Sequence, residues 1–314
     1  MTWETFPVLE RTGQIEFLEK ADGSRLRVGM WPATTNSKGV IVLVSGFREY
    51  MEKYSELIDD FLKKGFAVYA MDNRGQGLSH RLVDNRHKSY IDNFESYLDD
   101  LHFYVKTKIT SEKANEGLPL FLMGHSMGGH ISLRYLHDHP GIFDKAVLMA
   151  PMIRVDLGNK VRDLITKAVV RIMQAMGLSK QFAPGEGDGM EGGRRMIDRN
   201  ILTHDKERYD VEEKIFEKTP DLYTGGATIG WMAAAMDSMN KIHAPNYMND
   251  VSLPLLICVA GEDKLLHSSA TEKLMMDHDN CKIVRFEHAY HEIYQETDEI
   301  RNRLLKEIDD FLAV

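Results

Sequence analysis

The sequence is short of cysteine, of positive charge and of long apolar runs, and each shortage removes a class of protein. Cys258 and Cys281 are the only cysteines among 314 residues. Neither sits in a Cys-x-x-Cys pair or at a zinc-ligand spacing, so free thiols in a reducing compartment are expected rather than a disulfide framework. Lys and Arg number 39 against 48 Asp and Glu, a net charge of −9. That balance argues against nucleic acid as a partner. No apolar run approaches the length of a membrane span. Met1 to Pro7 show neither a basic start nor an apolar stretch, so no signal peptide is expected and the cytoplasm is the expected compartment.

What remains is ample for a large core: 43% of residues are hydrophobic and 28% charged. Ile15–Glu19 and Arg25–Met30 flank Ala21-Asp22-Gly23-Ser24 and read as an antiparallel hairpin. Val40–Val44, Phe66–Met71, Leu118–Met123, Ala146–Met149, Leu255–Val259 and Lys282–Phe286 read as strands, and Val40–Val44 and Ala146–Met149 are continuous apolar runs, as strands covered on both faces should be. Helical periodicity lies between several of them, at Tyr54–Lys64 and from a cap at Asn93 to about Ile109. A closing helix is expected over Asp298–Leu312. Alternation of this kind predicts a mostly parallel sheet with helices on both faces. The pattern breaks after Pro151. From there to about Asn246 only helical stretches are expected, so one α/β core over 1–152 and 247–314 carries a helical insertion over 153–246.

The chemistry centres on Gly124-His125-Ser126-Met127-Gly128-Gly129, which follows an apolar strand and precedes helical sequence. A serine on so tight a strand-to-helix turn tolerates almost no side chain at the flanking positions, and glycine leaves that room. Ser126 is the candidate nucleophile, and the Met127 N–H at the helix start is a candidate oxyanion donor. A serine hydroxyl needs a histidine to take its proton and a carboxylate to orient that histidine. Asp263, with Glu262 beside it as the competitor, follows the Leu255–Val259 strand. His291, with His288 as its competitor, follows the Lys282–Phe286 strand. The second oxyanion donor is expected after Val44, in Ser45-Gly46-Phe47-Arg48-Glu49, at the Phe47 N–H. His137-Asp138-His139 and Asp277-His278-Asp279 lack the spacing of a metal site and read as solvated helix ends.

The insertion has its own character. Residues 151–245 hold 14 basic and 14 acidic residues, so the net negative charge lies on the core. Its first helix, Asn159 to Gly177, sets Val161, Leu164, Ile165, Ala168, Ile172 and Met176 on one face, with Lys160, Arg162, Lys167 and Arg171 elsewhere. Packing on the core and contact with an anionic lipid surface are both open for such a helix. Met173, Met176, Met190, Met196, Met232, Met236 and Met239 all fall in the insertion, where flexible thioethers suit a long acyl chain.

These residues resemble the serine α/β-hydrolases that include monoacylglycerol lipases, and within them the bacterial lysophospholipases. The resemblance rests on Asp72-Asn73-Arg74-Gly75-Gln76-Gly77-Leu78-Ser79, on the Ser126 elbow and on Ala289-Tyr290-His291-Glu292. Leu202-Thr203-His204 with Arg208-Tyr209, and Gly225-Gly226-Ala227-Thr228 with Trp231, resemble the lysophospholipase branch. One departure is Ser45-Gly46, where the lipases usually carry His-Gly. The resemblance implies an α/β-hydrolase fold with the insertion as a helical cap, and ester hydrolysis through an acyl-enzyme. It implies no metal or cofactor. The expected substrate is a lysophospholipid or a monoacylglycerol, with peripheral membrane contact through the cap. A general carboxylesterase and a non-catalytic lipid-binding scaffold are the alternatives.

Overall fold

Val40–Val44 offers only apolar side chains to either face, and in the computed structural model all five are buried. The structure describes residues 13–33, 37–189 and 201–313, together with the backbone of 190, 191, 194 and 195. Met1 to Pro7 and Met196 lie outside the described residues, as does the Met190 side chain.

The strands in chain order are β1 (Gln14–Glu19), β2 (Arg25–Trp31), β3 (Val40–Val44), β4 (Ala67–Met71), β5 (Leu120–His125) and β6 (Lys145–Met149), then a two-residue hairpin of β7 (Met190–Glu191) and β8 (Arg194–Arg195), then β9 (Leu255–Ala260) and β10 (Cys281–Phe286). Eight of them form one sheet in the order β1-β2-β4-β3-β5-β6-β9-β10. β2 runs antiparallel to both β1 and β4, and the remaining pairs are parallel. Alternate residues of β3 serve opposite faces, as a strand requires. Val40, Val42 and Val44 join Tyr97, Leu101 and Ile131 of the helices Glu95–Tyr104 and Met127–Asp138. Ile41 and Leu43 join Phe61 and Ile308 of the helices Ser55–Lys63 and Asp298–Leu312. At about 1.5–3 kcal/mol for each buried aliphatic side chain, these two layers hold the central strands in place. The ends of β5, β9 and β10 therefore share one edge of the sheet, where the loops that follow them can meet.

Two expectations need correction. The helix after Asn93 does not stay regular to Ile109. Asn93 does accept from the Ser96 amide (3.1 Å), but the α-helix ends at Tyr104 and Val105–Ile109 form a wider π-helical turn. The stretch from Pro151 to Asn246 is not free of strand, because β7 and β8 pair there. Its helices are Lys160–Ala175, Lys206–Lys218 and Ile229–Ile242, capped by the side chains of Asn159, Asp205 and Thr228. The first packs Val170 against Ile229, Ala233 and Met236 of the third. Its predicted apolar face points outward: Leu164 is 69% exposed, and Val161, Ile165, Ile172 and Met176 are exposed with it. Among the described residues no helix is long and apolar enough to cross a membrane.

Candidate active site

Ser126 leaves β5 with φ +52° and ψ −117°, a conformation that a side chain rarely adopts. Such a residue costs on the order of 1–3 kcal/mol and persists only where its surroundings hold it. Here the Ser126 amide donates to the Met149 carbonyl (2.9 Å), and its own carbonyl accepts from Met152 (2.9 Å) and His130 (3.1 Å). The glycines make the turn possible. A Cβ on Gly124 would stand 2.5 Å from the Gly128 carbonyl oxygen, and one on Gly128 would run into the backbone of Val44. The hydroxyl that results is nine-tenths buried at the edge of the sheet.

The loops after β9 and β10 bring the other two groups to it. His291 Nε2 lies 2.9 Å from Ser126 Oγ, and His291 Nδ1 lies 2.8 Å from Asp263 Oδ2. Asp263 Oδ1 accepts from the Leu265 and Leu266 amides, at 2.8 and 2.9 Å. Burial pushes the Asp263 carboxyl up, but the His291 charge and hydrogen bond and the two amides outweigh it and hold the group below the usual carboxylate range. The competitors meet each other instead. His288, 88% exposed, faces Glu262 at 3.3 Å, away from the serine.

The loop after β3 is held firmly. The Gly46 amide donates to Glu49 and Tyr54, and the Arg48 amide to Gln76 Oε1. Those two amides are engaged, which leaves the Phe47 N–H between them as the loop's candidate oxyanion donor. Met127, the other candidate, opens the helix that follows Ser126, where the first-turn amides have no partner within the helix. Ser45, in place of the lipases' histidine, is buried, and Asn73 donates to its carbonyl at 2.8 Å. The Asp72–Ser79 loop thus braces this turn twice, through Asn73 and Gln76.

A buried charged network beneath these loops escaped the sequence reading. His125 Nδ1 lies 3.0 Å from Glu49 Oε1, and its Nε2 lies 3.3 Å from the His291 carbonyl oxygen. Both ring nitrogens face acceptors, so the ring fits as an imidazolium. Burial alone would lower the His125 pKa, yet the charge and hydrogen bond of Glu49 raise it. Glu49 answers: burial raises its carboxyl, and His125, Lys53 and Tyr54 bring it down to about 2. Lys53 Nζ reaches Glu292 at 2.6 Å and Glu212, on the helix Lys206–Lys218, at 3.4 Å. The available signals were Glu49 and Lys53 four residues apart after the oxyanion loop, and Glu292 beside His291. His130, the other histidine near the elbow, bonds Ser238 Oγ at 2.7 Å and takes no part.

Beside the site lies a cavity of about 630 Å³, walled by Ile153, Leu157, Trp231, Met232, Met236 and Met239. Trp231 links this cavity to the candidate oxyanion loop, because its ring packs on Phe47 with centroids 4.0 Å apart. Among the described residues no group of three or more His, Cys, Asp or Glu is arranged to hold a metal ion.

The family model described as serine aminopeptidase, S33, matches residues 35–298. The chain is 30% identical over 275 residues to a probable lysophospholipase L2 of Haemophilus influenzae, covering 88% of this chain and 84% of that protein. It is 24% identical over 302 residues to a monoglyceride lipase of Rattus norvegicus, covering 94% and 89%. A soluble variant of monoglyceride lipase from Saccharomyces cerevisiae, solved with a substrate analogue, superposes with a TM-score of 0.77 at 21% identity over 98% of this chain and 96% of that one. That likeness fixes the fold as an α/β-hydrolase fold. With a hydrolase elbow, a matched core and a matched family model, this chain belongs to the serine aminopeptidase S33 family of α/β-hydrolases.

Proposed function

We propose that this protein is a serine carboxylic ester hydrolase that cleaves single-chain lipids, with a lysophospholipid as the main substrate and a monoacylglycerol as the alternative. The observation that carries the reading is the unbroken relay Ser126 Oγ–His291–Asp263, at 2.9 and 2.8 Å. Ser126 attacks the ester carbonyl as its proton passes to His291 Nε2. Asp263 holds Nδ1–H and steadies the imidazolium. The N–H groups of Phe47 and Met127 take the oxyanion, each such donor being worth about 10²–10³ in rate. Collapse expels the alcohol, which leaves with the proton from His291. Water then attacks the acyl-Ser126 ester by the same route, and the fatty acid leaves. No step calls for a metal or cofactor.

The substrate class draws on the named relatives and on the cavity behind Trp231, whose methionine wall suits a flexible acyl chain. Residues 153–246 serve as a cap over that cavity, on the core formed by 1–152 and 247–314. The outward apolar face of Lys160–Ala175, flanked by Lys160, Arg162, Lys167 and Arg171, suits a lipid surface of anionic character. The test is hydrolysis of a lysophospholipid, a monoacylglycerol and a diacyl phospholipid of the same chain length. Rapid turnover of the single-chain lipids with little on the diacyl lipid is expected. Equal rates on diacyl and lyso lipids would overturn the substrate assignment.

A further inference from the structure

The buried and half-buried arginines among the described residues follow a rule with two exceptions, both half-buried. Arg27, Arg74, Arg134, Arg208 and Arg301 each lie within 4.0 Å of a carboxylate. Arg48 and Arg81 have no ion pair among the described residues. They converge on one segment of the insertion: Arg48 Nε donates to the Thr224 carbonyl (3.0 Å) and its Nη2 to the Tyr223 hydroxyl (3.3 Å), while Arg81 Nη2 donates to Thr224 Oγ1 (3.1 Å). Arg86 joins them through the carbonyls of Gly77 and Asp221. The same short stretch gathers unused donors. Gln76 Nε2, Arg81 Nε, Arg81 Nη1, Arg86 Nε and His87 Nδ1 are buried with no hydrogen-bond partner among the described residues. Burial, and then the charge of Arg86, press the Arg81 guanidinium down to about 10.

Asp188 acts on His87 at the edge of this cluster, but no carboxylate lies within 4.0 Å of Arg48 or Arg81 among the described residues. Asp221, 70% exposed, faces Arg86 Nε at 3.6 Å, too long for a hydrogen bond, and lies within 4.0 Å of neither Arg48 nor Arg81. Asp72 is already committed to Arg27 and to the amides of Met51 and Leu78. A half-buried cation with no counter-charge gives up hydration that nothing returns, and buried donors are rarely left unused. Guanidinium groups that are otherwise unmatched suit the oxygens of a phosphate, which they bind through paired N–H groups.

Position tells which phosphate. Arg48 directly follows Phe47, the candidate oxyanion donor, whose ring packs on Trp231 and so on the apolar cavity. Phe47 thus stands between a space for an acyl chain and a cluster of cations. In a lysophospholipid only the glycerol carbons separate the ester from the phosphate. Arg86, 34% exposed, gives the cluster its opening to solvent.

We propose that Arg48, Arg81 and Arg86 form a phosphate subsite that holds the head-group phosphate of a lysophospholipid while its ester lies at Ser126. The proposal rests on the ester-hydrolase reading above. The phosphate is held and not attacked; its charge replaces the missing carboxylate. The site then favours lysophospholipid over monoacylglycerol, which has the same acyl ester and no anion.

The test compares kcat/KM for lysophosphatidylcholine and for the monoacylglycerol of the same acyl chain, in the wild type and in Arg48→Gln, Arg81→Gln and Arg86→Gln. The ratio of the two values is independent of the fraction of enzyme that folds, so a destabilised variant still reports. The ratio should fall at least tenfold in Arg81→Gln and in Arg48→Gln, with a smaller fall in Arg86→Gln. An unchanged ratio in all three overturns the subsite. A second arm titrates inorganic phosphate against hydrolysis of a short soluble ester. Phosphate inhibition that Arg81→Gln abolishes, beside an unchanged lipid ratio, would make this a site for free phosphate and overturn the head-group assignment. A wild type that cleaves monoacylglycerol and not lysophosphatidylcholine would instead overturn the substrate reading on which the proposal rests.

Discussion

His125 Nε2 stands 3.3 Å from the backbone carbonyl oxygen of His291, so the residue before the candidate nucleophile braces the candidate base. The other edge of the same ring meets Glu49, which in turn accepts from the Gly46 amide of the oxyanion loop. One buried pair therefore ties together three segments that approach the sheet edge from distant parts of the chain.

The pair should leave a pH signature. His125 is raised in the folded protein, so its contribution to stability is complete below the ordinary histidine value of about 6.5 and is lost as pH rises through the folded value. Glu49→Gln removes the cause. Thermal melts should show the variant least stable relative to wild type near pH 6, by roughly 3–5 kcal/mol, with the gap narrowing as pH rises above the ordinary histidine range. The carboxyl of Glu49 works in the opposite sense, since its lowered value keeps it charged until pH falls toward about 2. A gap that stays constant as pH rises from about 6 through the alkaline range would mean that His125 is not the charged partner.

Asp263 and Glu262 are consecutive but meet different histidines, and their variants should separate. Asp263→Asn is expected to fold and to lose roughly 10⁴ in kcat, because the wrong tautomer of His291 is then favoured. Glu262→Gln and His288→Ala should keep most of the activity, since that pair is exposed at the surface. Steady-state kinetics on a soluble ester checks the ranking, and the reverse order would move the role to Glu262.

Much of the candidate site is legible in the sequence alone. Gly-x-Ser-x-Gly after an apolar run is local, and its physical demand for space is local too: Gly124 and Gly128 are where a Cβ cannot fit. Asp263 and His291 are legible because each follows a strand, with Asp263 preferred to Glu262 and His291 to His288 from the sequence; the geometry adds that Glu262 and His288 face each other. The Glu49–His125–Lys53–Glu292 network was not legible, because it joins residues up to 243 positions apart that no periodicity links. Periodicity also gave the stripe on Lys160–Ala175 without its direction. Leu164 and Ile165 look like core residues in sequence, and only the packing of Val170 on Ile229 turns them outward.

That outward stripe predicts membrane behaviour. Lys160→Glu, Arg162→Glu and Lys167→Glu together should weaken binding to anionic vesicles by at least roughly a hundredfold in a flotation assay, since each cation near such a surface is worth about 1 kcal/mol. Turnover of a short soluble ester should stay within about twofold of wild type. Unchanged flotation would remove the membrane role of this helix.

Ser126 and His291 should behave as one unit. Ser126→Ala and His291→Ala are each expected to lower ester turnover by roughly 10⁴–10⁶, with the double variant little worse than either. Losses that multiplied in the double variant would show two independent contributions.

The central claim is that Ser126 forms the covalent acyl-enzyme. The direct measurement is labelling with a fluorophosphonate ester, followed by intact mass and peptide mapping of the wild type and of Ser126→Ala. The account predicts one adduct, on the peptide that carries Gly124-His125-Ser126-Met127, and none in the variant. An adduct on another residue, or equal labelling of Ser126→Ala, would contradict it.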